Sequence, residues 1–360
     1  MRIAEIAPMY EAVPPRGYGG TERVIAALCD GLVRRGHDVT LFGAATSETA
    51  AILAPTVAEP LRASMTRAEM LDLAPRLHLQ MLAGVYERAA DFDVIHAHTD
   101  IATLRFAAGT AAAPSLLTLH GRLDLDAARR ELARFPQVPL VSISDHQRDA
   151  VRGLDLNWAA TVPNGLDLSA YLSEPRGDGS CLTFVGRIHH EKRPDLAVEV
   201  ARRTGFPLRV AAKVDPTDVA YHAECIEPLF AANGVEFLGE VLEHEKPALY
   251  ANAAATIFSS DWPEPFGLVM IESMAAGTPV IALRRGSVPE VLVDGVSGFI
   301  CDDLDGMVKA VGRLGEIAPD ACRRQAQRFS ADRMCERYVN VFDTLTERSS
   351  VDEYAIAGQS

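Results

Sequence analysis

The apolar positions of this chain follow two alternating rhythms. MRIAEIAP reads as a first strand, and TERVIAALCDGLVRRGHD after it sets Val24, Leu28 and Leu32 on one helical face, with Thr21 as cap and Gly36 as stop. DVTLFG is then a second strand. Short apolar runs recur at DVIHAH, SLLTLH, VPLVSIS and AATVPNG, with longer helical stretches between them. That alternation predicts a parallel sheet with crossover helices. LSEPRGDGS, at 172 to 180, interrupts the rhythm and reads as a linker. The alternation resumes with CLTFVGRI, LRVAAKV, VEFLGEV, ATIFSS and TPVIAL. The pattern predicts an α/β domain over 1–171, a second over 172–330, a closing helix over 331–348 and a frayed tail over 349–360. Two such domains in tandem would place a cleft between the carboxyl ends of their sheets, where open α/β sheets take ligands.

Length agrees with two domains, since 360 residues exceed what one core usually organises. The composition is 48% hydrophobic and 23% charged, and 49 acidic residues against 35 Lys and Arg leave a net charge of −14. Such a surface repels a phosphate backbone, so nucleic acid is disfavoured as a partner, and any anionic ligand needs a local cationic cluster. The six cysteines are scattered without CxxC or His/Cys ligand spacing, which argues against disulfides or structural zinc. MRIAEIAPMY lacks the unbroken apolar core of a signal peptide, and no run is long enough to span a bilayer. These features predict a cytoplasmic protein without a transmembrane segment; peripheral membrane contact stays open.

Four stretches carry candidate chemistry. RGYGGTERV is a glycine-rich turn before a helix; it fails the G-x-G-x-x-G pattern, because Glu22 stands where the third glycine belongs, and a flexible loop is its plainer reading. FVGRIHHEKRPDLAVEVA places Arg187 and Lys192 between a strand and a helix, as a diphosphate would require, although such a run can also be only a solvated charged loop. DWPEPFGLVMIESMAAGTPVIA holds Glu264 between two prolines and Glu272 on the following helix, whose first amides, at Gly267, Leu268 and Val269, suit phosphate. Each glutamate alone could be a solvated or helix-supporting residue. His96 and His98 end one strand run and His120 another; His120 is a functional or a hydrogen-bonded structural residue, and His96 and His98 are read as pointing to opposite sides. DFD at 91–93 and DLD at 124–126 lack a clustered third ligand, so no metal site is predicted.

GGTERV, TLHG, VPNGLD, FVGRIHHEK, EPFGLVMIESMAAGTPVIA and GSVPEVLVDGVSGFI, in this order, resemble the retaining glycosyltransferases of family 4, over roughly residues 1–345. The resemblance implies the GT-B architecture: two Rossmann-like domains facing a cleft, the second holding most of the nucleotide-sugar donor, and a last helix crossing back to the first. It also implies roles. Arg187 and Lys192 match the diphosphate-binding pair; Glu264, contacting donor-sugar hydroxyls, and Glu272, contacting the ribose, match the two acids of the E-x7-E motif. Gly267 and Leu268 match phosphate-binding amides, Gly20 the loop beside the reaction centre, and His120 the histidine near the donor sugar. No stretch matches an acceptor site. The reaction implied is retaining transfer of a hexose to a hydroxyl, with no cofactor and no metal, because cationic groups stabilise the departing diphosphate. The opening is similar to bacterial members acting on small molecules, which favours UDP-glucose. A sugar-nucleotide epimerase of the same architecture and a non-catalytic nucleotide-sugar binding protein are the alternatives.

Overall fold

A computed structural model describes residues 1–109 and 112–357, with side chains through Glu347; residues 358–360 of the expected tail lie outside the described residues. The chain forms two compact units. One comprises Met1–Pro15, Gly19–Leu166 and the closing segment from Ala331, and the other Arg16–Tyr18 with Asp167–Ser330. The boundary precedes the expected break after 171, because Tyr171 is buried and its hydroxyl donates to Glu243 Oε1 at 2.6 Å within the second unit. The stretch 172–180 is likewise no free linker. Gly177 N donates to Ala251 O at 2.9 Å and Arg176 Nη1 to Thr278 Oγ1 at 2.9 Å, so both are tied to the second unit.

In the first unit seven strands, β1 (Arg2–Ile6), β2 (Asp38–Ala44), β3 (Ile52–Val57), β4 (Val94–Ala97), β5 (Ser115–Leu119), β6 (Leu140–Ser142) and β7 (Trp158–Thr161), form one sheet in the order β3-β2-β1-β4-β5-β6-β7. Every pairing is parallel. β4 and β5 are buried at every position, as central strands covered on both faces must be. β3 escapes the sequence pattern because ILAPTV carries Pro55 and leaves Ile52 exposed, and both features are tolerated only at an edge. The first helix runs Gly20–Arg34, so Thr21 is not its cap; Gly19 holds that position. The last helix, Ala331–Ala357, packs on the first and on β4 and passes the expected end at 348; its Tyr338 ring lies 4.7 Å from His96 and is fully closed off.

The second unit repeats the logic with six strands: β8 (Cys181–Arg187), β9 (Leu208–Lys213), β10 (Glu236–Gly239), β11 (Ala253–Phe258), β12 (Val280–Leu283) and β13 (Gly298–Cys301), ordered β10-β9-β8-β11-β12-β13. All pair in parallel, so all carboxyl ends share one edge. β8, β9 and β10 wind to one side and β11, β12 and β13 to the other. The winding therefore reverses between β8 and β11, and in the first unit between β1 and β4. At such a reversal the connections leave in opposite directions and open a crevice at the strands' carboxyl ends. Among the described residues no helix is long and apolar enough to cross a membrane.

Candidate functional site

The crevice of the second unit is built from the segments leaving β8, β11 and β12. Arg187 ends β8, and His190–Lys192 forms a short 3-10 turn before the helix Pro194–Thr204. Arg193, between them, has φ 52°, a left-handed conformation unfavourable for a side chain with a Cβ. Its surroundings hold it there: Ser259 Oγ lies 3.0 Å from Lys192 O and 2.8 Å from Arg193 O, and Asp261 N donates to Glu191 O at 2.9 Å. The charged loop after β8 is thus stitched to the loop after β11.

Across this seam Lys192 Nζ donates to Glu264 Oε2. The same oxygen accepts from Trp262 Nε1 at 2.9 Å and from Ser260 Oγ at 3.4 Å, and the Lys192 ammonium lies 5.2 Å from the Trp262 ring centroid. The pair's side chains are only 18% and 14% exposed, so solvent screens it less than a surface pair. Arg187 stands apart. Its Nε is 3.8 Å from Asp218 Oδ2, and both buried atoms lack a hydrogen bond. A half-buried guanidinium held by so long an ion pair, with its buried Nε unpaired, keeps donor capacity for an anion.

The backbone of Glu264 is fixed by the loop after β12. Ser287 N donates to Glu264 O at 3.0 Å and Ser287 Oγ to Phe266 O at 2.7 Å. Gly286, at φ 54°, lies so close that a Cβ there would sit 2.3 Å from Glu264 O and 2.4 Å from Glu264 N. Gly267, at φ 87°, turns the chain into the helix Leu268–Ala275, whose first-turn amides, including Leu268, have no acceptor one turn earlier in that helix. Glu272 lies on this helix but inward, 1% exposed, accepting from the Tyr250 hydroxyl at 2.6 Å. The two glutamates therefore occupy different surroundings, Glu264 in the polar seam and Glu272 within the core.

In the first unit a polar chain crosses the winding reversal. Glu5 on β1 stands in register with His96 on β4. Glu5 Oε1 is 3.1 Å from His96 Nδ1, and Glu5 Oε2 is 2.9 Å from His98 Nε2. His98 Nδ1 lies 2.8 Å from Nε2 of His120, which follows β5. On the other arm His96 Nε2 is 2.7 Å from Thr118 Oγ1, and Thr118 Oγ1 is 2.9 Å from the Tyr338 hydroxyl. His96 and His98 thus do not point to opposite sides: residues two apart on a strand share a face, and both rings reach the same carboxylate. Burial pulls the His96 and His98 imidazoles down to about 3, and it lowers His120 in the same direction. Burial pushes the Glu5 carboxyl up, opposed by the hydrogen bond from His98. The donor atoms of Glu5, His96 and His98 lie within 4.8 Å of one another, a His/Glu cluster that spacing in the sequence does not reveal, and each is engaged by a neighbour in that cluster.

Gly20 opens the helix after β1, and Glu22 lies in its first turn, 6% exposed. Burial raises the Glu22 carboxyl to about 7. Of the residues singled out from sequence, Lys192 and Glu264 meet directly, Arg187 pairs elsewhere, Glu272 is enclosed, and Gly20 and His120 belong to the other unit. Sequence reading missed Asp218, Trp262, Gly286, Ser287, Tyr250 and Glu5. The motif stretches DWPEP and GSVPEV contain Trp262, Gly286 and Ser287 but carried no assigned role for them.

Two outcomes are expected. Gly286→Ala forces a methyl into the Glu264 backbone and should cost about 1–3 kcal/mol of stability in chemical denaturation, the usual range for overpacking; an unchanged midpoint would show that the loop accommodates it. The raised Glu22 carboxyl gives stability that is complete below its unfolded value of 4.5 and lost as pH rises to about 7. Glu22→Gln should therefore gain on the parent protein across that window, by on the order of 3 kcal/mol at its upper end. A constant difference between the two proteins from pH 4.5 to 8 would contradict this.

Comparison with known proteins gives the family. Residues 18–170 match the description Glycosyltransferase Family 4, and residues 173–325 match Glycosyl transferases group 1. A phosphatidyl-myo-inositol mannosyltransferase of Mycolicibacterium smegmatis is 27% identical over 350 residues, covering 90% of this chain and 86% of that protein. Among solved structures, sucrose-phosphate synthase from Thermosynechococcus elongatus superposes with a TM-score of 0.79 at 18% identity, over 96% of this chain and 99% of that one. Anabaena Alr3699/HepE in complex with UDP-glucose gives 0.71 at 17%, over 96% and 100%. The likeness shows the fold, two parallel Rossmann-like sheets of the GT-B type as described above. With both halves of the chain matched and the fold shared, this protein belongs to family 4 of the GT-B glycosyltransferases and is a glycosyltransferase.

Proposed function

We propose that the enzyme moves a hexose from a nucleotide-diphosphate sugar, with UDP-glucose the favoured donor, to a hydroxyl acceptor, with retention of configuration and without a divalent metal. The observation that carries the reading is the meeting of Lys192 and Glu264 at the winding reversal of the second sheet. One end of such a donor is a diphosphate and the other a ring of hydroxyls. A cation and a carboxylate side by side match that junction. Arg187, with a buried donor unused, adds a planar fork for phosphate oxygens, and the amides of Gly267 and Leu268 add helix-terminal donors. The complex of Anabaena Alr3699/HepE with UDP-glucose supports the donor class.

Each group then has a step. Lys192, Arg187 and the helix terminus stabilise the charge that grows on the leaving diphosphate as the glycosidic bond loosens. Glu264 accepts hydrogen bonds from the sugar hydroxyls. Glu272, its carboxylate oriented by Tyr250, takes the ribose, and Gly20 belongs to the loop beside the reacting carbon. His120 presents a ring nitrogen to the donor sugar. Because positive charge from side chains meets the diphosphate, the reaction needs no divalent cation.

The test is incubation with a panel of nucleotide sugars that includes a mannose donor, in view of the mannosyltransferase relative. Release of the nucleoside diphosphate and the anomeric configuration of the product are followed by NMR. A new glycoside of retained configuration, formed equally in excess EDTA, is expected. An epimerised nucleotide sugar, an inverted product, or activity restored only by magnesium or manganese would defeat the reading. His120→Ala should lower turnover about 10²-fold or more, the usual scale for a positioned polar group, with little change in nucleoside-diphosphate affinity.

The Lys192–Glu264 contact generates a sharper expectation. Glu264→Ala removes a sugar ligand but releases the Lys192 ammonium, so UDP should bind as tightly as before or more tightly while UDP-glucose weakens. Lys192→Ala should weaken both ligands by about one to two decades, corresponding to roughly 1.5–3 kcal/mol for a lost charged hydrogen bond. Calorimetry with both ligands on both variants decides it. Equal loss of UDP in the two variants would remove the assignment.

A further inference from the structure

Glu5, His98 and His120 form a directed chain whose protons can be assigned. With Glu5 ionised, the state that its contacts with His98 favour against the burial that raises it, the carboxylate only accepts hydrogen bonds, and a neutral imidazole carries one N–H and one bare nitrogen. His96 Nδ1 lies 3.1 Å from Oε1 and 3.0 Å from Oε2 of Glu5, and His98 Nε2 lies 2.9 Å from Oε2, so two ring N–H groups converge on the carboxylate. His98 is then bare at Nδ1. Its neighbour at 2.8 Å, His120 Nε2, must bear a hydrogen. On the second arm His96 is bare at Nε2 and accepts from the Thr118 hydroxyl, which accepts from Tyr338. The assignment satisfies every donor and acceptor along both arms. Glu5, His96, His98, Thr118 and Tyr338 are all buried, in a place where an unsatisfied polar group would be costly.

From this chain we infer that Glu5 and His98 are positioning residues that hold His120 as the Nε2–H tautomer, so that its Nδ1 faces outward as a bare acceptor for a substrate hydroxyl. The inference rests on the reading that His120 serves the transfer, and adds which atom acts and what fixes it. Among the described residues His120 Nδ1 has no hydrogen-bond partner, whereas Nε2 is committed inward. The ring cannot turn over without breaking the contact with His98. The hydroxyl whose hydrogen Nδ1 accepts belongs to a polyol, in the donor sugar or the acceptor, and a ligand offering only an acceptor at that position would be refused. Tyr338, on the last helix, secures the far arm, so that helix has a part in the geometry of a histidine distant from it in sequence.

The experiment reads the ring states directly. In the full-length protein labelled with 15N-histidine, a protonated His120 Nε2 and a bare Nδ1 are expected, assigned by comparison with His120→Ala. A protonated Nδ1 overturns the inference. His98→Phe keeps a ring but removes the acceptor; it should abolish the single tautomer and lower kcat about a hundredfold with an unchanged KM for the donor. His98→Asn places an amide oxygen near the lost Nδ1 and should restore most of the turnover. Equal activity in the Phe and parent proteins, or a loss confined to KM, also overturns it. So does stoichiometric metal in the purified protein that disappears in Glu5→Gln, since the three donors would then serve an ion. If His98→Phe fails to fold, the parent protein's ring states still decide. An active His120→Ala protein with the expected ring states would sink the reading of His120 while leaving the proton assignment standing, so the two failures are distinguishable.

Discussion

The reversal of winding within each parallel sheet is the constraint on which the remaining features depend. Where β8 and β11 lie side by side, one crossover leaves toward β9 and the other toward β12, and neither can cover the strand ends between them. Backbone at such a gap lacks the ladder partners of a regular sheet. The chain supplies them from turns: Ser259 Oγ bonds the carbonyls of Lys192 and Arg193, and Ser287 N bonds that of Glu264. Three loops that are remote in sequence become one rigid surface, and the left-handed Arg193 is held in place by its neighbours.

Electrostatics then work locally against the character of the whole. With a formal charge of −14, the protein repels anions at long range. Within the seam of the second unit, Lys192 is sheltered, and its charge is balanced by a single carboxylate oxygen that three donors share. Among the described residues Arg187 faces Asp218 across 3.8 Å. Each of the two cations thus faces a carboxylate, Lys192 in direct contact and Arg187 at a longer distance. Glu272 contrasts with this. A buried carboxylate beside a tyrosine hydroxyl is chiefly a fixed element, whose direction is set by Tyr250.

Burial of polar groups in the first unit follows the same logic of satisfaction. A carboxylate and two imidazoles at the centre of a sheet would destabilise it if unpaired, and the register of β1 against β4 supplies the pairing. The last helix closes the chain with Tyr338 and Phe342, whose rings stand 4.7 and 5.4 Å from His96. Packing and proton placement are thereby joined, because the helix cannot leave without exposing the imidazoles.

The sequence by itself determined the two α/β units, their parallel sheets and most of their strands, because short apolar runs separated by helical stretches are local patterns with one economical solution. It also carried the motif residues Arg187, Lys192, Glu264 and Glu272, whose types and spacing survive without any knowledge of contacts. The edge strand Ile52–Val57 was hidden, since a proline and an exposed isoleucine blur the pattern that burial normally writes. Contacts between distant residues were decided only by the tertiary structure. Lys192 meets Glu264 from 72 positions away, Glu5 meets His96 from 91, and Thr118 meets Tyr338 from 220. Strand order and register set those meetings. They arise from how all the crossovers pack at once, which no single stretch of residues encodes.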